Sequence, residues 1–410
     1  MEQLLKHLEK VKIFSYEKVR IDSHICELHY RLTTLILFTL TMIITITQLF
    51  GTPINCIQSS SGSSSKTHPI PEKVMNTFCF TQSTFTYINE SRSPLTYPGI
   101  RISDGNTEYV RYHSYYQWVP ILLFIQAMTL MTPHYLWKDK EGGLMGKLLK
   151  TNEHYMLNNS IGRIGQFSKV SSYIIKRHGS WDGYAYCYLI NILCNTGAVF
   201  LNIYSTELLL GGYFKYLGNE FVNYLWNRDE HRVKPTNPLD ISFPKMTKCT
   251  FHKYGPSGTI ESVDAMCILP LNNFNEKIFI FLWFWYLILF CISICYSFVK
   301  INQGIVTMSK NMFLMRRSFS IQRGVKDEDM KVLLSRLDTS QWFVIDIIRI
   351  NLSPLYYKNF IESLVEEVTN KKLDNKHSNN NNNIVIVADT SNMANGQIGN
   401  DHRGNTDPHS

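Results

Sequence analysis

Four stretches of this 410-residue chain contain no Lys, Arg, Asp or Glu: Leu32 to Gly51, Trp118 to Trp137, Tyr184 to Thr206 and Ile278 to Val299. Each is about as long as the roughly 20 residues needed to cross a bilayer core. The four are therefore expected as membrane helices, and the chain as an all-α membrane protein. Catalytic signatures are missing too. There is no H-E-x-x-H, no P-loop, no Gly-rich fingerprint after a strand and no nucleophile elbow. The 13 histidines are scattered, and Cys249 and Cys267 lack the close paired spacing of a zinc site. No enzyme, metal or cofactor is expected. No cleavable signal peptide is expected either: the first 31 residues are charged and the first apolar run is longer than a signal-peptide core, so it is expected to stay as an anchor.

The chain is accordingly expected to divide into an N-terminal helix and flank at 1–31, spans at 32–51, 118–137, 184–206 and 278–299, and loops at 52–117, 138–183 and 207–277. A helical cytoplasmic region at 300–370 and a disordered tail at 371–410 complete it. The tail carries the Asn379 to Asn383 tract and few aromatics. Basic residues orient the spans. Lys12, Lys18, Arg20 and Arg31 precede the first. Lys138, Lys140, Lys147, Lys150, Lys169, Lys176 and Arg177 fill the middle loop. Lys300, Lys310, Arg316 and Arg317 come after the fourth. Within 20 residues of a span, the other flanks hold only Lys66, Arg101, Arg111, Lys215 and Lys277. Both termini and the middle loop are thus expected in the cytoplasm. The net charge of +8 fits contact with inner-leaflet lipid rather than nucleic acid.

The nine cysteines divide accordingly. Cys56 and Cys79 lie in the first outer loop and Cys249 and Cys267 in the second, where disulfides persist. Four cysteines allow three connectivities. Cys26, Cys187, Cys194, Cys291 and Cys295 read as small core residues. The first loop also holds the sequon Asn89-Glu90-Ser91 and a Ser-rich stretch, Ser59 to Ser65.

Within the spans, Asn191, Asn195 and Asn202 mark the third as protein-facing. Pro133 lies inside the second and predicts a kink, with Gln126, Thr132 or His134 available to the freed carbonyl of Thr129. For His134 a hydrogen-bonded structural role is favoured over a proton sensor. At the outer end of that span stands Tyr115-Tyr116-Gln117-Trp118-Val119-Pro120. Its three amphipathic rings read as a membrane-interface anchor, and Pro120 suits a first helical turn. Near the N-terminus, Leu4, Leu8 and Val11 share one helical face, with Gln3, Lys6 and Lys10 elsewhere.

With these features in place the chain resembles an innexin, of the invertebrate gap-junction family related to the pannexins. The hexapeptide at 115–120 matches the family signature in full. Gly51-Thr52-Pro53-Ile54-Asn55-Cys56, Phe78-Cys79-Phe80, Pro133-His134-Tyr135-Leu136-Trp137-Lys138, Cys267-Ile268-Leu269-Pro270, Asn275-Glu276-Lys277-Ile278 and Gln341-Trp342-Phe343 are similar to family stretches. The likeness covers about residues 20 to 365. Phe80 departs from it, standing where the family usually has Trp.

The resemblance implies a plasma-membrane channel: a ring of eight subunits, of this chain or with other innexins, around a wide pore. Two rings docked end to end would pass ions and small metabolites between cells. It also implies disulfides Cys56–Cys267 and Cys79–Cys249, and an N-terminal helix folded into the pore with Gln3, Lys6 and Lys10 facing the lumen. A sugar on Asn89 would instead favour an unpaired hemichannel releasing small molecules. A four-span adhesion or scaffold protein without a pore is the alternative of another class.

Overall fold

The structure is a computed structural model, and it describes residues 19–58, 70–87, 100, 110–153, 160–177, 179–226, 238–309, 311 and 327–369. In chain order it contains helix α1 (His24–Phe50), strand β1 (Asn55–Gln58), α2 (Glu72–Gln82), β2 (Thr84–Tyr87), β3 (Val110–His113) and α3 (Val119–Glu141). Next come α4 (Leu144–Glu153), α5 (Ser160–Lys176), α6 (Asp182–Leu209), α7 (Phe214–Trp226) and α8 (Pro238–Ser242). The series continues with β4 (Met246–Tyr254), β5 (Ile260–Ile268), α9 (Pro270–Ser309), α10 (Asp327–Arg336), α11 (Thr339–Asn351) and α12 (354–369). The chain divides into two units, one from 1–142 with 186–301 and the other from 143–185 with 302–410.

Four helices are long and apolar enough to cross a membrane: α1, α3, α6 and α9. A helix satisfies its own backbone groups, as a hydrocarbon environment requires. The threonines of α1 fit that demand. Thr39, Thr41, Thr45 and Thr47 each donate a hydroxyl to the carbonyl four residues earlier. Helix α9 has 40 residues, about 60 Å at 1.5 Å per residue, and so extends beyond its charge-free segment at both ends. Helix α3 starts with Pro120 in its first turn and stops at Gly142, whose φ of 60° is a left-handed cap.

The two long loops of the first unit build one five-stranded antiparallel sheet in the order β1-β5-β4-β2-β3. The first loop supplies β1, β2 and β3; the second supplies β4 and β5. Below it a hydrophobic core joins Tyr116, Val119, Leu123, Phe214, Phe243, Phe279 and Leu282. The rings of Phe243 and Phe279 stack with centroids 5.5 Å apart. Gly218 of α7 lies face to face with the Trp283 indole, and a Cβ there would stand 2.1 Å from the ring.

The second unit is helical. Its core takes Phe167, Ile174 and Trp181 from the middle loop and Met330, Leu333, Trp342, Phe343, Ile347, Phe360 and Leu364 from the C-terminal region. Gln341 donates to the carbonyl of Ile174, and Asp338 with Gln341 forms a capping box at the start of α11. Residues 143–185 thus complete the core of the helical region at 300–370.

Candidate functional site

The disulfides organise the loop sheet. Cys56 and Cys267 are directly opposed in the β1–β5 register, and their bridge holds those strands with Cα atoms 4.0 Å apart. Cys79, on α2, bridges to Cys249 of β4 across 5.8 Å. Each bridge therefore ties the first loop to the second. The sulfurs of Cys56, Cys79 and Cys267 lie within 4.8 Å of one another, but all are consumed in disulfides, which leaves no thiolate for a metal. The amide of Cys56 donates to Asn76 Oδ1 at 2.7 Å, so a side chain of α2 covers the free edge of β1.

The hexapeptide occupies the joint between this sheet and the spans. Only Trp118 of its three rings is exposed, at 56%; Tyr115 and Tyr116 are buried. Their reading as membrane-interface anchors is therefore corrected. Tyr115 packs edge-on against Phe243, and Tyr116 lies against Phe80. Gln117 Nε2 donates to the carbonyls of Phe80 and Thr81 at the end of α2. Gln48 of α1 donates to the carbonyl of Tyr116 at 3.0 Å. Protein neighbours thus meet the Gln117 amide and the Tyr116 carbonyl. Val119 is buried, and Pro120 opens α3.

Two polar groupings fix the same region. His113 is buried on β3, with its Nε2 2.8 Å from Thr86 Oγ1. Burial, with the neighbouring Arg111 charge, pulls its pKa down to about 4. Glu276, almost fully buried at the start of α9, meets Lys245 and Lys277 at 3.0 and 2.8 Å. Lys245 also reaches Asp240 of α8 at 3.0 Å. Burial works against the Lys245 charge, yet its hydrogen bonds to the Asp240 and Glu276 carboxylates prevail and raise its pKa. The Asn275-Glu276-Lys277 stretch carried no role in the sequence; Lys245, which reaches Glu276, lies 31 residues earlier.

Inside the bundle Gln126 is a hub. Its amide donates to the Asn202 carbonyl and to the Ser205 and Thr206 hydroxyls, at 3.1, 3.1 and 2.8 Å. Its oxygen accepts from Tyr286 at 2.8 Å. Gln126 thus joins α3, α6 and α9 and does not serve the carbonyl freed by Pro133. Thr132 does not either, since its hydroxyl goes to Met128. Pro133 sits within a continuous helix. His134 bonds to Asp22, and Asn191, Asn195 and Asn202 are all buried, as the protein-facing reading of α6 requires. Gln3, Lys6, Lys10, Asn89, Ser59 to Ser65 and the tail at 371–410 lie outside the described residues.

The arrangement is two long loops locked into one sheet above four apolar helices. It compares closely with one group of proteins. The chain matches the family model for innexins over residues 22–368. It is 32% identical to innexin inx2 of Schistocerca americana over 365 residues, 88% of this chain and 97% of the relative. It is 33% identical to innexin shaking-B of Drosophila melanogaster over 389 residues, covering 91% and 95% of the two chains. It is also 33% identical to innexin inx3 of the same fly over 355 residues, 85% of each chain. These relatives exclude an enzyme and a pore-less scaffold: the chain belongs to the innexin family of gap-junction channel subunits.

Proposed function

We propose that eight copies of this chain, alone or with other innexins, form a ring around a wide pore in the plasma membrane. Both termini and the middle loop face the cytoplasm; the two long loops face outward. Two rings meet through the sheets of these loops and connect adjacent cells for ions and small metabolites. The observation that carries this reading is the sheet itself. Five strands drawn from both loops, cross-tied by two disulfides, make one preorganised surface. A docking face made of two free loops of this length would lose much of its binding energy in being ordered.

The basic flanks at both termini and in the middle loop support the orientation. The exposed apolar stripe of α1, with Leu35, Met42, Ile46 and Leu49, supports a seat for the N-terminal segment. Leu4 and Leu8 would face it, leaving Gln3, Lys6 and Lys10 toward the lumen, where a ring of lysines favours anions. The exposed faces of α6 and α9 suit lipid and neighbouring subunits. The sequon at Asn89 supports the second reading, an unpaired hemichannel. Junctional conductance between two cells that both express the chain tests the first reading. Current confined to single cells selects the second.

A further inference from the structure

The chain enters its first span through a buried polar cluster. Asp22 and His134 are almost fully buried, and His134 Nδ1 donates to Asp22 Oδ2 at 2.5 Å. The other carboxylate oxygen accepts from Asn191 Nδ2 at 3.3 Å. Tyr30 stacks on the His134 ring, with centroids 3.8 Å apart. Trp137 Nε1 donates to the carbonyl of Ile21 at 3.3 Å. Asn195, one turn from Asn191, donates to the Cys26 sulfur. One carboxylate is therefore held from two different spans, α3 and α6. Starting a helix does not require this, because Ser23 already caps α1.

A buried pair of this kind adds little net stability and is better suited to fixing one arrangement against others. The next residues of the chain give that arrangement a consequence. Residues Leu28–Thr33 form a π-helical turn, a feature common at functional sites. The same turn is tied to the fourth span: His29 Nε2 meets Ser293 Oγ at 2.8 Å, and Trp285 donates to Thr33 Oγ1 at 3.2 Å. The entry of α1 is thus set by side chains of all three other spans. Beyond the π turn lies the regular helix whose exposed stripe, in the proposed channel, seats the N-terminal segment that faces the lumen.

We propose that Asp22, held by His134 and Asn191, is a positioning residue for conduction. It fixes where the chain enters α1 against α3 and α6, and through the π turn it sets the height and rotation of the exposed stripe of Leu35, Met42, Ile46 and Leu49. The proposal rests on the reading of the chain as a pore-lining subunit.

The test is single-channel recording from cells expressing the full chain, with surface protein counted by biotinylation. Asp22→Asn keeps the shape and removes the charge, and His134→Gln removes the ring nitrogen that donates to Asp22. Each is expected to reach the surface and to change unitary conductance by about twofold or more, since dimensions at a constriction govern conduction. The exchanged pair, Asp22→His with His134→Asp, is expected to return it toward wild type. Where the single variants fail to reach the surface, a conducting exchanged pair at the surface carries the proposal. Unchanged unitary conductance in the single variants overturns it. So does absence of the single variants and the exchanged pair alike, because the cluster then serves folding alone. Wild-type protein at the surface without current overturns the channel reading itself, and this proposal with it.

Discussion

Cys56 and Cys267 face one another across β1 and β5, with their Cα atoms 4.0 Å apart, and a disulfide closes the pair. One residue lies just after the first span and the other just before the fourth, 211 positions away. The bridge and its companion make the loop sheet a covalent unit rather than an association of two loops.

Cys249→Ser tests that unit. It opens a closed loop of 170 residues and leaves Cys79 without its partner. Loss of a native disulfide costs about 2–5 kcal/mol. Surface biotinylation and paired-cell recording are expected to find junctional conductance abolished. Normal coupling in this variant would contradict the role given to the bridge.

Gly218→Ala tests the seating of α7 on the fourth span. The new methyl would meet the Trp283 ring at 2.1 to 2.5 Å, and the indole is anchored through Nε1 to the carbonyl of Lys215. Overpacking of this kind costs about 1–3 kcal/mol. A lower melting temperature of the detergent-solubilised channel is expected. An unchanged melting temperature would show that the ring moves aside freely.

His113 makes the loop sheet acid-sensitive. Its pKa in the fold lies near 4, below the ordinary 6.5. The unfolded chain therefore takes up a proton that the fold refuses. The full stability is present above about pH 6.5 and is lost progressively as pH falls toward 4, by roughly 3 kcal/mol in all. Melting temperatures measured from pH 7.5 to 4.5 are expected to fall, and His113→Gln to flatten that part of the profile. An equal slope in the variant would assign the sensitivity elsewhere.

Lys6→Glu with Lys10→Glu tests the lumen. Reversal potentials under a salt gradient are expected to move toward cation preference. No movement would take both residues out of the pore lining.

The spans were legible because a charge-free run of 20 residues or more is a local property with one physical solution. The cysteine pairing was not local. Counting left three connectivities, and only the resemblance, and then the register that sets Cys56 opposite Cys267, selected one. Tyr115 and Tyr116 show how composition misleads. Their ring type fits a lipid interface, but Phe80 and Phe243, distant in sequence, close over them. Gln126 was noticed for the proline near it, while its partners Asn202 and Tyr286 lie 76 and 160 residues away. The middle loop's place in the helical unit was hidden for the same reason: the Ile174 carbonyl meets Gln341, 167 residues away and after the fourth span.

The central claim is that the disulfide-tied sheets of two rings dock and join two cells. Dual voltage clamp of paired oocytes, both expressing the chain, tests it directly, with Asn89→Gln as the companion that removes the sequon. The account predicts a junctional conductance in the wild-type pair. Current from single oocytes with none between wild-type or Asn89→Gln pairs would contradict it.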